Sequence, residues 1–318
     1  MLGALAGLGF LPGFAWGQAS ASFPSRPVTL VVPFPPGGVN DVIARELGQR
    51  LGQRWGVSVV IANRPGAGAI IGTDEVARAT PDGYTLLVTS MAHATAHSFF
   101  PKLPYDPVRS FEPIGLIAAS PFVLVVRDGL PVQTVTEFLT YSRSHPGLSY
   151  SSTGMGGSSH LITELLRSRV GCQWSHVPYK GASPAVADVA GSQLDFTLSA
   201  YGTVSAFLQA RRIRALAVTS RQRLPALPQV PSLAESGIAG FEAGPWWGLA
   251  APVRTPADVL GRLRQDLADT LRDSSLVAAL ETKGLRVIGG DAATYSEHMT
   301  HESTLWARLI REARIQSE

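Results

Sequence analysis

From Val28 onward the chain alternates short apolar runs with longer segments of helical periodicity. Val28 to Val32 is apolar and β-branched, as suits a buried strand, and it stops at the breaker cluster Pro33-Phe-Pro-Pro-Gly-Gly38. Beyond the cluster, Val42, Ile43, Leu47 and Leu51 share one face of a helix that Asn40 is placed to cap. Val57 to Ile61 predicts a second strand, residues 70–79 a second helix and Thr85 to Thr89 a third strand. That order implies a parallel sheet built through crossovers. Ile114 to Ala118 and Phe122 to Val126 are apolar runs split by Ser120-Pro121, a crossing point between lobes.

A second α/β set follows. Thr134 caps a helix over 135–144, and strands at Leu148 to Ser151, 174–177 and Asp195 to Ser199 alternate with helices at His160 to Arg169 and 183–191. Ile213 to Thr219 is a further strand, Leu224 to Pro231 a proline-rich connection, and Trp246 to Ala251 a strand. The remainder reads as helices over 256–272, 274–283 and 292–314, with a short strand at Arg286 to Ile288. A chain of 318 residues exceeds one compact core and fits two lobes of ordinary size. The expected fold class is α/β.

Composition supports a globular chain: hydrophobic residues make up 45% and charged residues 16%. The formal net charge is +3, with bases and acids interspersed. The one dense spot, Arg211-Arg212-Ile-Arg214, reads as a solvated helix end rather than a nucleic-acid patch. Cys172 stands alone, so it forms no internal disulfide and no cysteine-based metal site, and its apolar surroundings suit a buried thiol. Residues 1–21 differ from the rest. Met1 to Trp16 carries no charge, and Ala19-Ser20-Ala21 offers a small-x-small cleavage site. The basic n-region is missing, and Pro12 and internal glycines make the stretch short for a membrane span. The segment reads as an imperfect export signal.

Three glycine-rich loops stand between a strand and a helix: Pro35 to Gly38, Pro65 to Gly68 and Gly154 to Gly157. In open parallel sheets, ligands bind outside the carboxyl ends of strands, where such loops lie. Glycine lets peptide N–H groups approach a ligand, and the following helix adds roughly half a positive charge. The pattern therefore predicts a cleft that holds an anion from both lobes without a cationic side chain.

Enzyme motifs fail on inspection. Gly66-Ala-Gly68 lacks the dinucleotide spacing, and no phosphate loop of the G-x-x-x-x-G-K-[ST] type occurs. His93 and His97 have metal spacing without the glutamate base of H-E-x-x-H, so they read as a loop pair near a polar cleft. Ser158, Ser159 and His160 lack the G-x-S-x-G elbow, and Ser158 or Ser159 is better read as a helix cap. No cofactor, metal or catalytic residue is expected.

The loops with their flanks also carry a resemblance. Arg26 to Asp41, Asn63 to Gly68, Pro81 to Tyr84, Leu103 to Pro107, His176 to Gly181 and Trp247 to Pro252 occur in order. Together they resemble the Bug-type solute receptors of tripartite tricarboxylate transporters, from about residue 23 to the C-terminus. The resemblance implies a periplasmic, monomeric, two-lobe binding protein of the type II class, with the ligand cleft between the lobes. Its lobes would be 22–119 with 220–318, discontinuous, and 120–219. It would capture a small mono- or dicarboxylate, an amino acid among the candidates, and pass it to a membrane permease. The alternatives are a ligand-sensing partner of a sensor kinase, and a hydrolase or transferase using Ser158 or His160.

Carried onto this chain, the first-lobe clamp is Phe34, Gly37, Gly38 and Asp41, with Ser90 and the segment to Thr95 beside it. The second is Thr153, Gly157, Ser158 and His160, with Tyr179 and Asp195 nearby. Phe34, Tyr179 and Trp247 read equally as core or rim aromatics. Asp41 reads equally as a helix-start carboxylate, and Asp195 as a structural one. The chain departs from the family at His97-Ser98-Phe99-Phe100, where an Asn-Pro pair is common, and at Ala92-His93-Ala94. Both departures fall on the cleft segment.

Overall fold

The computed structural model describes residues 23–315 except 101 and 180, so the expected export signal lies outside the described residues. The chain begins with β1 (Val28–Val32), α1 (Val39–Trp55) and β2 (Val59–Asn63). A short 3-10 turn at Ala67–Ala69 leads into α2 (Ile70–Ala77), followed by β3 (Thr85–Ser90), α3 (Met91–Phe99) and β4 (Phe111–Ala119). After a two-residue crossing come β5 (Phe122–Arg127), α4 (Val135–Ser144), β6 (Leu148–Ser152), α5 (Ser158–Val170) and β7 (Trp174–Pro178). Then follow α6 (Ala182–Ala190), β8 (Phe196–Ala200), α7 (Tyr201–Gln209) and β9 (Ile213–Val218). The chain ends with β10 (Trp246–Pro252), α8 (Ala257–Leu271), α9 (Ser274–Glu281), β11 (Arg286–Val287) and α10 (Ala292–Glu312).

The strands form two sheets, ordered β11-β4-β10-β3-β1-β2 and β7-β6-β8-β5-β9. Each has a parallel trio, with β1 between β2 and β3 and β6 between β7 and β8. Beside each trio runs a strand of opposite direction, β10 in one sheet and β5 in the other. The carboxyl ends of β1, β2 and β3 therefore lie together on one sheet, and those of β6, β7 and β8 on the other. Two crossings join the sheets, one at residues 120–121 and one from Thr219 to Pro245. They are tied by Ser120 N donating to Pro245 O (2.9 Å) and Phe122 N to Thr219 Oγ1 (2.8 Å).

Several sequence expectations needed correction. The second strand is Val59–Asn63 rather than 57–61, because its pairing with β1 sets Val28 opposite Val59 and Val32 opposite Asn63. β4 extends to Phe111, carried by its ladder with β10 down to Pro252. The helices α3 and α7 were not predicted. Each starts at the residue after its strand ends, so no breaker marks the change of period. Asn40 does not cap α1, whose N-cap is Gly38, while Thr134 does cap α4 by accepting from Glu137 N at 3.1 Å.

Burial follows the predicted apolar faces. On α1, Ile43, Leu47 and Leu51 are buried with Val28, Leu30 and Leu86, and with Leu260, Leu263 and Leu267 of α8. Each such side chain contributes roughly 1.5–3 kcal/mol relative to exposure. The largest apolar cluster runs through both halves of the molecule. It joins Val31 and Leu87 to Phe138, Leu161 and Phe196, with Trp306, Leu309 and Ile310 of α10 among its members. Cys172 is buried in the same cluster.

One buried carboxylate secures α10. Glu302 Oε2 accepts from Trp306 Nε1 at 2.6 Å and from Trp246 Nε1, on β10, at 3.1 Å. Removing it leaves two buried indole N–H groups unpaired. Glu302→Ala is expected to lower stability by about 3 kcal/mol, and Glu302→Gln, which keeps an acceptor, by less than about half of that. Urea unfolding of the three proteins checks the order.

Candidate functional site

In the first half of the chain, β1 ends in the predicted loop. Gly37 has φ +85°, a left-handed conformation in which a side chain would be strained, and Gly38 is the extended N-cap of α1. The loop is closed by Asp41 in the first turn of α1. Its Oδ2 accepts from Gly37 N and from Arg45 Nε, each at 2.9 Å. Arg45 holds the Asp41 carboxyl at about 2, helped by the Gly37 N–H and opposed by burial. Asp41 is thus the helix-start carboxylate, and the Gly37 N–H expected to meet a ligand is already occupied. Gly38 is exposed, and a Cβ there would meet only Pro35 O, at 3.9 Å.

Asn40 takes a role that no sequence signal marked. Its Oδ1 accepts from Trp247 Nε1 at 2.8 Å, and Trp247 pairs with Ser90 across the sheet. Trp247 is therefore core with its polar edge turned to α1. Phe34 is half-buried against the same core, and its carbonyl accepts from Asn63 Nδ2 at 3.1 Å.

At the end of β3, Ser90 is the extended N-cap of α3 and is buried. Thr95 is also buried, one turn into the helix, with Oγ1 donating to Ala92 O at 3.3 Å. The expected loop pair of histidines is instead helical and divided. His93 lies in the core between Tyr105 and Phe111, donating from Nε2 to Pro107 O at 2.8 Å, whereas His97 is exposed. Burial pulls His93 down to about 4, so it is neutral near pH 7.

The second-half loop, between β6 and α5, is held by side chains beneath it. Ser159 does not cap its own helix. Its Oγ reaches back to accept from Thr153 N at 2.9 Å and lies 3.1 Å from Thr153 Oγ1. The N-cap is Gly157, and Ser158 is the half-buried first helical residue, so neither serine plays the predicted capping role. A Cβ on Gly157 would sit 2.7 Å from Thr153 Oγ1, which excludes larger residues. His160 is buried, and its Nδ1 accepts from Gly156 N at 3.0 Å. It supports the loop from behind.

Of the two residues expected nearby, one is at the loop and one is not. Tyr179 follows β7 with its N–H donating to Ser152 O at 3.1 Å, while its hydroxyl donates to Asp188 on α6, a bond that raises it to about 12. Asp195 is placed at the opposite end of its sheet, just before the start of β8. There it accepts from Ser149 N (2.8 Å), Ser149 Oγ (3.0 Å) and Arg127 Nε (3.0 Å). It is a structural carboxylate, because strand direction places the carboxyl ends of the parallel trio on the far edge.

What the sheets gather at those carboxyl ends is a set of helix starts. All six helices that follow a parallel strand, α1, α2, α3, α5, α6 and α7, lack a side-chain cap bond. Their N-caps are Gly38, Ala69, Ser90, Gly157, Gly181 and Ala200, and five of these have no side-chain acceptor to offer. By contrast α4, α9 and α10 are capped by Thr134, Asp273 and Asp291, while α8 begins after Pro256 without such a bond. Across the gap, Gly156 packs against Phe99, the last residue of α3. A Cβ on Gly156 would lie 2.8 Å from the Phe99 ring. Phe99, which sequence reasoning noted only as a departure, thus packs on the second loop.

The hinge is hollow. A cavity of about 430 Å³ is lined by Pro121, Tyr201, Arg221, Leu224, Glu281 and Arg286, and one of about 460 Å³ by Ser120, Glu242, Trp246, Arg286, His298 and Glu302. Neither includes a predicted clamp residue. Among the described residues no cluster of His, Cys, Asp and Glu could hold a metal ion.

The chain matches the family model described as tripartite tricarboxylate transporter family receptor over residues 42–315. It is 40% identical over 300 residues to a Pseudomonas sp. (strain P51) protein encoded in the tcbD-tcbE intergenic region, spanning 94% of this chain and 89% of that one. Among solved structures, it is similar to Rpa4515 of R. palustris with adipate, at 34% identity and TM-score 0.79, covering 93% of this chain and 100% of the other. It is also similar to MatC from Rhodopseudomonas palustris with bound malate, at 30% identity and TM-score 0.74, covering 91% and 100%.

The lobe-1 loop yields a pH test. With its folded value below the ordinary 3.8, Asp41 contributes stability that is present above about pH 4 and lost as pH falls towards 2. The carboxylate is covered but Arg45 is largely exposed, so solvent screening limits the contribution to about 1 kcal/mol. Asp41→Asn is expected to lose that amount at pH 7, with the gap to the native protein closing between pH 4 and 2.5 in denaturant unfolding.

Proposed function

Because this chain belongs to the tripartite tricarboxylate transporter receptor family, we propose that it captures a small carboxylate between its two lobes for a membrane permease. The family consists of periplasmic solute receptors with two-lobe binding-protein folds, and this chain has that architecture. The observation that carries the ligand class is the set of six helix starts at the strand ends without a side-chain cap. A missing cap costs about 1 kcal/mol per helix unless something else accepts from the first-turn N–H groups. A carboxylate supplies acceptors and the charge the helix dipoles favour. Charge-assisted bonds to backbone N–H contribute roughly 1.5–3 kcal/mol each, enough together to offset desolvation.

We place the carboxylate between the loops at Gly38 and Gly157 rather than in the hinge cavities. The cavities present charges of both signs, whereas the loops offer uncapped helix starts, with the one carboxylate beside them, Asp41, paired to Arg45. In this reading lobe 1 is 22–119 with 220–318, lobe 2 is 120–219, and Ser120-Pro121 is one of two hinge strands. Gly38, Ser90, Gly157 and Ser158 meet the ligand directly. Phe99 and Val39, whose side chain is exposed beside Gly38, contact its apolar part. Asp41, His160 and Tyr179 stand behind them. Adipate and malate, bound by structural relatives, are the first ligands to try. Residues 1–21 would direct export and be removed.

A receptor reading and a hydrolase reading differ on His160. Its Nδ1 is spent on Gly156 and burial keeps it down at about 4, so it is poorly placed to activate Ser158. The test is a thermal-shift screen of mono- and dicarboxylates followed by calorimetry. A ligand at a hundred times its dissociation constant adds about 2.7 kcal/mol. Gly38 has φ −79° and a Cβ there would meet only Pro35 O, at 3.9 Å, so Gly38→Val should fold with no more than about 1 kcal/mol lost at the N-cap, yet lose about a hundredfold in affinity, the worth of one or two such bonds. A screen in which no carboxylate shifts melting, or a Gly38→Val protein that binds as the native one does, would sink the proposal.

A further inference from the structure

The two clamp loops are supported by different chemistry. Lobe 1 uses a carboxylate and an exposed arginine. Lobe 2 uses two imidazoles, His160 buried and His176 half-buried. His160 and His176 stack with ring centroids 3.9 Å apart and planes 6° from parallel, and Tyr150 of β6 lies against both. Each histidine holds a different end of the loop. His160 Nδ1 accepts from Gly156 N at 3.0 Å, and His176 Nε2 is 2.6 Å from Ser152 Oγ. Ser152 Oγ in turn contacts both the N–H and the carbonyl of Gly154. Gly156 adopts φ +70°, a conformation with no side chain of its own to fix it, so these bonds determine where its N–H points.

We infer that His160 and His176 are positioning residues, a stacked imidazole pair that shapes the Ser152–Gly157 loop and makes carboxylate capture dependent on pH. This rests on the receptor reading above. To accept from Gly156, His160 must be neutral with its proton on Nε2. Protonation puts a hydrogen on Nδ1, removes the acceptor, and sets a positive charge against the second ring. The groups acting on His160 are His176 across the stack and Glu164 and Arg167 on its own helix. Glu164 is itself committed, accepting from Tyr150 Oη at 2.7 Å and from Arg167 Nε at 2.8 Å. From α10, which also packs on α5, no charged group acts on His160 among the described residues.

Burial, then the neighbouring His176, pull His160 down to about 4 from 6.5, and burial lowers His176 as well. A histidine with a lowered value is protonated in the unfolded chain before the folded one. The loop is therefore fully supported near pH 7 and loses support as pH falls from about 6.5 through 4. The response is a one-way release on acidification.

The substitution His160→Asn offers an amide oxygen near the Nδ1 position and does not titrate, whereas His160→Phe keeps a ring and removes the acceptor. With malate and adipate as calorimetric probes, His160→Asn should bind within about threefold of the native protein at pH 7, and His160→Phe about tenfold more weakly, the worth of one hydrogen bond. Taking the native-to-Asn affinity ratio cancels the titration of the probe itself. That ratio should fall about twofold by pH 4 and about tenfold by pH 3. A ratio flat with pH, or a His160→Phe protein that binds as the native one does, overturns the inference. A ligand-free measurement separates it from the receptor reading. Imidazole nitrogen shifts should show His160 neutral and protonated on Nε2 at pH 7. Gly156 amide protection should fall with acid in the native protein but not in His160→Asn. A proton on Nδ1, or protection that does not respond, overturns it whether or not either probe binds.

Discussion

The backbone N–H groups at the start of a helix must be satisfied, and in this protein six helices begin with no side chain to satisfy them. The constraint is local, but the sheets make it global. Each parallel trio delivers three helix starts to one edge, so N-termini without a side-chain cap and the positive ends of helix dipoles accumulate there. The positive ends of three helix dipoles on each sheet edge are the physical basis for the proposed anion site.

Such a site needs its loops held still, because a peptide N–H that can rotate away is no donor. The two lobes meet that need in unlike ways. In lobe 1 the anion-facing loop is tied by Asp41, a negative charge placed next to where a carboxylate would sit, which Arg45 neutralises. In lobe 2 the tie is neutral. An imidazole accepts the Gly156 N–H, and a second imidazole stacked on it secures Ser152. A neutral acceptor spares the site a second negative charge, but it leaves the loop sensitive to protonation.

The hinge and α10 complete the mechanics. The two crossings are cross-linked at Ser120–Pro245 and Phe122–Thr219, and both hinge cavities are lined by the first crossing. α10 belongs to the apolar cluster that continues from one half to the other, and Glu302 binds it to β10 through two indoles. The two crossings are thus short and mutually bonded, and a further approach of the halves sets Gly156 against the Phe99 ring.

Much of this was legible in the residues themselves. Apolar runs and breakers located every strand to within a few positions, since strands and turns are set by local chemistry. The glycine loops at 35–38 and 154–157 marked two junctions between a parallel strand and its helix, and the strand–helix alternation implied the parallel trios. What the sequence could not supply was direction and distance. Asp195 looks like a binding carboxylate until strand polarity puts it at the wrong edge of the sheet. Asp41 and His160 look like ligand contacts, and Ser159 like a helix cap, until folding turns them back on their own loops. Asn40 and Trp247 are 207 positions apart, and only the antiparallel insertion of β10 beside β3 makes them partners. The sequence by itself decided the strands, the turns and every helix but α3 and α7, because those choices depend on neighbours along the chain. Only the tertiary structure decided which polar groups remain free to bind, because that depends on which others have already found a partner.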